Sequence, residues 1–172
     1  DEVEKRLAGH QLGNIIKFQS GLIGKKGQDT IKSTKPINNY WRKGISSGGS
    51  VLRYVVCYVG EYLCYNPHLI KSGGVGTVNY FEPKLFVRQT ADSIICAVDK
   101  EGLLAINNVH VGNIIKGGEV SLNYIAACLN SRFIDFYYKA LSLEEGRPHA
   151  QVDLDMLADI PLPQPSMEQQ LI

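Results

Sequence analysis

The sequence predicts an α+β fold, a twisted and mostly antiparallel sheet with helices packed on it. Short runs of β-branched and aromatic residues fill the stretch from Val51 to Ile106, and such residues suit a pleated, half-buried surface. Gly, Pro, Asn and Asp separate these runs at short intervals, as turns between strands require. Apolar residues at helical spacing come late, from Leu122 onward. With 172 residues, 44% of them hydrophobic, one compact domain spanning 1–172 is expected. A chain of that size buries roughly 70% of its unfolded surface and needs no staple.

LGNIIKFQSG (12–21) reads as a strand or short helix ending at Gly21. Residues 22–50, rich in Gly, Ser, Asn and Lys, read as long loops anchored by Tyr40-Trp41. VLRYVVCYVGEYLCY (51–65) suits a strand pair turning near Gly60-Glu61, and NPHLIKSGGVGT (66–77) is turn material. PKLFVRQ (83–89) alternates, with Leu85 and Val87 on one face and Phe86 and Arg88 on the other. SIICAVD (93–99) and LLAIN (103–107) flank Lys100-Glu101-Gly102, a hairpin with Gly102 where φ is positive.

Ser121 can cap a helix over LNYIAACLNSRFIDFYYKAL. Leu122, Ile125, Ala126, Leu129, Phe133, Phe136 and Tyr137 form its apolar stripe, and Asn130-Ser131 predicts a kink or two abutting helices. A loop through Gly146-Arg147-Pro148 leads to a helical turn at 153–158. Pro161, Pro163 and Pro165 then hold an extended stretch. Ser166-Met167-Glu168-Gln169 fits a capping box, so 160–172 reads as the approach to a connecting helix. An opening Asp1 in place of methionine adds to the expectation of a fragment.

Charge is unevenly distributed. Between residues 10 and 60, eight cations (Lys17, Lys25, Lys26, Lys32, Lys35, Arg42, Lys43 and Arg53) stand against Asp29 alone, a net of +7. From 140 to 172, Arg147 stands against six carboxylates (Glu144, Glu145, Asp153, Asp155, Asp159 and Glu168), a net of −5. A basic front and acidic tail suit a molecule that meets a polyanion on one side, and solvated faces are the plainer alternative. Cys57, Cys64, Cys96 and Cys128 form no CxxC and read as reduced thiols of a cytoplasmic protein. No apolar run reaches the roughly 18 residues of a membrane span.

Catalytic motifs are missing. SGGVGT (72–77) lacks the Lys-Ser/Thr of a phosphate-binding loop. NPHL (66–69) puts His68 and Leu69 where the NPPY-type loop of adenine methyltransferases has proline and the stacking aromatic. His10, His68, His110 and His149 have no legible catalytic partners, and Cys57, Cys64, His68 and His110 match no common zinc spacing. No catalytic residue, metal site or cofactor site is assigned.

The remaining inventory is one of binding. Asn38, Asn39, Arg42, Lys43, Arg88, Gln89, Asn107, Asn108, His110 and Arg147 are expected at strand ends or in loops. Arg and Lys suit guanine edges, Asn and Gln suit adenine, and Lys25, Lys26, Lys32 and Lys35 suit phosphate.

The second half resembles a known module. PKLFVRQTADSIICAVDKEGLLAINNVH, LNYIAACLNSRFIDFYYKAL and DMLADIPLPQPSMEQQLI resemble the TaqI-like C-terminal specificity, or target recognition, domain. The shared elements come in family order: "pK-l-x-x-R", a hairpin ending in Asn, an "LLNS" helix (here CLNS) followed by aromatics, and "IPLP…EQ-x-x-I". The front half is similar more loosely, through LGNIIKFQSGL, and the ending also resembles recognition domains of type I specificity subunits. The resemblance implies double-stranded DNA as partner and an N6-adenine methyltransferase, with or without a fused nuclease, as parent. S-adenosylmethionine would then belong to the parent's catalytic domain. Arg88, Asn107 and Asn108 are the binding residues that the family pattern itself supports. A protein-interaction domain is the alternative from another class.

Overall fold

The computed structural model describes residues 11–74, 76, 78–115, 120–142 and 150–163. Arg147, His10, His149 and the capping box at Ser166 lie outside the described residues.

One helical turn, α1 (Leu12–Ile15), runs directly into β1 (Ile16–Ser20), so the opening segment is helix and strand in succession. Next come β2 (Ile23–Gly24), β3 (Lys32–Ser33), β4 (Trp41–Ile45), β5 (Val51–Leu52), β6 (Val55–Val56), β7 (Tyr62–Cys64) and β8 (Ile70–Ser72). The second half contributes β9 (Lys84–Arg88), β10 (Cys96–Asp99), β11 (Leu104–Ala105) and β12 (Val109–Ile114). Three helices follow: α2 (Leu122–Leu129), α3 (Arg132–Ser142) and α4 (Leu154–Ala158). The class is α+β, as the sequence predicts.

The central sheet has the order β1-β12-β9-β10 and is antiparallel throughout. Its pleat divides the molecule, because successive side chains leave opposite faces. Phe86, Ala97, Val109 and Val111 enter one core with Trp41, Ile45 and Leu63 of the second sheet, β11-β4-β7-β3. Leu85, Val87, Cys96 and Ile16 enter the other, with Ile125, Leu129, Ile134 and Tyr138 of the helices. The alternation expected for residues 83–89 is what the two cores use.

Several expectations are corrected. Residues 22–50 are not all loop: Trp41 is buried and opens β4. The tight turn of the 51–65 segment lies at Arg53-Tyr54, where Leu52 pairs with Val55, and not at Gly60-Glu61. The segments around Gly102 form no hairpin. β10 pairs with β9, whereas β11 crosses to the second sheet and runs parallel to β4. Gly102 does have positive φ, at 76°, and the turn is held by Asp99, which accepts from Glu101 N (3.2 Å) and Leu103 N (3.0 Å).

The aromatic helix is corrected in phase. Asn130-Ser131 does divide it into two helices, with Ser131 Oγ accepting from Ile134 N at 3.2 Å. That break advances the buried face by one residue. Ile134 and Tyr138 are buried, whereas Phe133 is 60% exposed and Phe136 72% exposed. Asn130 itself brackets the edge strand: its amide accepts from Cys96 N at 3.1 Å and donates to Cys96 O at 2.9 Å. The IPLP segment ties the ends together, with Ile160 and Leu162 buried and Leu12 N donating to Ile160 O at 2.9 Å.

Candidate nucleic-acid interface

The polar residues gather where β9 ends and β12 begins. Arg88 closes β9 and is the register partner of Val109, while Gln89 N donates to Asn108 O at 3.0 Å. Asn107 and Asn108 form the turn into β12, so Arg88, Gln89, Asn107 and Asn108 sit together although about 20 residues separate them in sequence.

Hydrogen bonds hold the Arg88 and Asn107 side chains of the cluster. The Arg88 guanidinium donates through Nε to Gly48 O at 3.0 Å, and its Nη nitrogens bond to nothing among the described residues. Gly48 is packed so closely that a Cβ would lie 3.0 Å from Asn108 O and 3.3 Å from Arg88 Cγ. The Asn107 carboxamide accepts from Gln28 Nε2. Asn108 Oδ1 is buried and has no hydrogen-bond partner among the described residues.

Gln28 also donates to Leu22 O (3.1 Å) and accepts from Gly24 N (3.2 Å). It therefore staples the exposed turn carrying Lys25 and Lys26 to Asn107. Sequence reasoning missed Gln28, because a lone glutamine in a polar stretch carries no pattern.

The other expected binders are placed differently. Arg42 and Lys43 are not in a loop: both are exposed residues of strand β4. Lys43 Nζ lies 5.4 Å from the centre of the Tyr58 ring, and Arg42 folds back onto Asn39 O (2.5 Å) and Trp41 O (3.0 Å). Lys32 lies on β3 with its Nζ 3.5 Å from Asp29, and Lys35 is exposed beyond it.

His110 lies inside β12 and is buried, not exposed at a strand end. Its Nε2 lies 2.8 Å from Val152 O and its Nδ1 3.5 Å from Ser20 Oγ. Burial lowers its pKa from the usual 6.5, against the opposing pull of the Val152 bond and Asp153. It borders a cavity of ≈ 570 Å³, also lined by Ser20, Gln89, Gln151, Asp153 and Met156.

The arrangement offers donors, acceptors and cations. NPHL is an Asx turn, in which Asn66 Oδ1 accepts from His68 N at 2.9 Å. No three His, Cys, Asp or Glu side chains gather as metal ligands among the described residues, and no described helix is long and apolar enough to cross a membrane.

One buried contact belongs to the motif and not to the interface. Lys84, the lysine of "pK-l-x-x-R", is fully buried and ion-paired with Asp99, and donates to Tyr80 O at 2.5 Å. Burial lowers its pKa, and Asp99 opposes that shift.

No curated protein matches the chain. The model of one family, described as the TaqI-like C-terminal specificity domain, matches residues 43–162 and so runs from within β4 through α4 to Leu162. Within the matched span, Lys84 pairs with Asp99, Arg88 holds Gly48, and Ile160 bonds Leu12 just ahead of β1. This chain belongs to the TaqI-like C-terminal specificity domain family.

Proposed function

We propose that this chain is the DNA target recognition module of an N6-adenine methyltransferase, alone or fused to a nuclease, and that it performs no chemistry itself. The observation that carries the reading is the convergence of Arg88, Gln89, Asn107 and Asn108 at one end of the central sheet, with the Lys25-Lys26 turn stapled to it through Gln28. Arginine and carboxamide side chains are the groups that read guanine and adenine edges, and flexible lysines suit phosphates. In this reading the partners are duplex DNA and the parent's catalytic domain, which would bind S-adenosylmethionine and methylate an extruded adenine. A specificity subunit of the type I kind would use the same interface.

The test is a salt titration of the purified chain on duplexes. Phosphate contacts should dominate, so affinity should fall linearly in log[salt], from Kd values of about 10⁻⁴ to 10⁻⁶ M. Binding that is absent at low salt would remove the reading and leave a protein-interaction module. Methyl transfer to DNA by the chain alone would overturn the assignment of catalysis to another domain.

A further inference from the structure

We infer that Tyr54 is an apolar DNA contact, an aromatic ring presented at a hairpin tip at the same end of the central sheet as the polar cluster. This rests on the DNA reading above and adds a residue that no motif picks out. Tyr54 has φ 69°, the one positive value at a non-glycine residue among the described residues. Glycine or asparagine ordinarily fills such a position, because a bulky side chain crowds its own backbone there.

The surroundings enforce that conformation. Val51 pairs with Val56 and Leu52 with Val55, closing the two-residue turn at Arg53-Tyr54. Tyr54 N donates to Cys96 O at 2.9 Å. Arg53 Nη1 donates to Ile94 O at 3.2 Å and to Asn130 O at 2.9 Å, binding the tip to the segment leading into β10 and to the end of α2. For all this fixing, Tyr54 is 58% exposed, and Leu52 and Val55 beside it are exposed too. Rigid surroundings that hold a strained residue whose ring is mostly outside the core point to a task for that ring beyond the fold.

Its position says which task. Arg88 N and Tyr54 N bond consecutive carbonyls of one segment, Ile95 O and Cys96 O, each at 2.9 Å. Gly48, whose carbonyl holds Arg88, leads three residues later into β5 of the same hairpin. Successive carbonyls of a strand point to opposite sides, so the tip lies along the outer side of β10, one strand across from Arg88 and at the same end of the sheet. In sequence it belongs to the stretch with a net charge of +7. An exposed ring in a cation-rich stretch of chain fits a polyanion that also offers apolar sugars and bases. Ring contacts of this kind add affinity with little regard to sequence.

The experiment compares Tyr54→Gly and Tyr54→Phe with the unaltered chain in duplex binding by anisotropy and in chemical unfolding. Tyr54→Gly should bind about tenfold more weakly on target and scrambled duplexes alike. Its unfolding midpoint should not fall, since glycine accepts the positive φ. Tyr54→Phe, which keeps the ring, should bind like the original. Undiminished binding by Tyr54→Gly overturns the inference while leaving the DNA reading standing. So does a loss by Tyr54→Phe equal to that of Tyr54→Gly, or a Tyr54→Gly midpoint well below the original. No binding by the unaltered chain at low salt overturns both.

Discussion

Lys84 and Asp99 are register partners across β9 and β10, and their side chains form an ion pair closed off from solvent. Desolvation of two charges makes such a pair a weak source of net stability, but leaving one of them alone is costly. Lys84→Met should therefore destabilise by about 3–5 kcal/mol, because it leaves the Asp99 carboxylate buried without its cation. Urea unfolding reads this directly, and a change under about 1 kcal/mol would mean that water reaches the site.

The phase shift at Asn130-Ser131 gives a paired test. Ile134→Ala should cost about 2–5 kcal/mol, as truncations of buried aliphatics do. Phe133→Ala, one residue away but largely exposed, should cost less than about 1 kcal/mol. Equal losses in denaturant melts would place the original stripe, and not the advanced one, against the sheet.

Asn130→Ala should cost about 1–3 kcal/mol, since it strips the peptide groups of Cys96 of the amide that brackets them. Hydrogen exchange at the Cys96 amide should accelerate in the variant, and unchanged protection would contradict the bracket.

His110 makes stability depend on pH. Its folded pKa is depressed below 6.5, so the unfolded chain binds the proton more tightly. Stability is therefore fully present above 6.5 and is lost as pH falls through that value toward the lower folded pKa. Unfolding midpoints should decline from pH 7.5 to pH 5 in the original chain and decline less in His110→Gln.

In DNA binding, two kinds of variant should separate. Lys25→Ala or Lys26→Ala should weaken binding to all sequences and reduce the salt slope by about one unit. Arg88→Ala or Asn108→Ala should cost about 1–3 kcal/mol, mainly on the parent's own target. Uniform losses from all four would leave base reading to other residues.

Legibility in the sequence followed the range of the interactions. The alternation of Leu85 and Val87 against Phe86 and Arg88, the break at Asn130 and the turn at Gly102 are local, and all three could be read. Trp41–Ile45 escaped notice because WRKGI does not alternate, its strand being set by distant partners β7 and β11. The departure of β11 from its neighbour β10 is likewise a long-range choice. Phe133 was misjudged because a helix break resets the phase of the stripe by an amount that spacing cannot reveal. Of the interface, the family pattern supplied Arg88, Asn107 and Asn108, while the burial of His110 and the staple at Gln28 depend on which segments meet.

The placement of β1 has a consequence for biosynthesis. Its hydrogen-bonding partner is β12, with Ile16 opposite Ile114 and Ser20 opposite His110. The nascent strand thus waits for about ninety more residues, several seconds at about 5–20 residues per second. During that interval its amides are open to any other chain, and afterwards it remains the sheet's outer strand. The exposed Lys17 near its start is the sort of charge that discourages pairing with strangers. A chain trimmed to the matched span of 43–162 would lack β1 altogether and pass that vulnerability on to β12, whose longer and mostly buried run has no lysine within it.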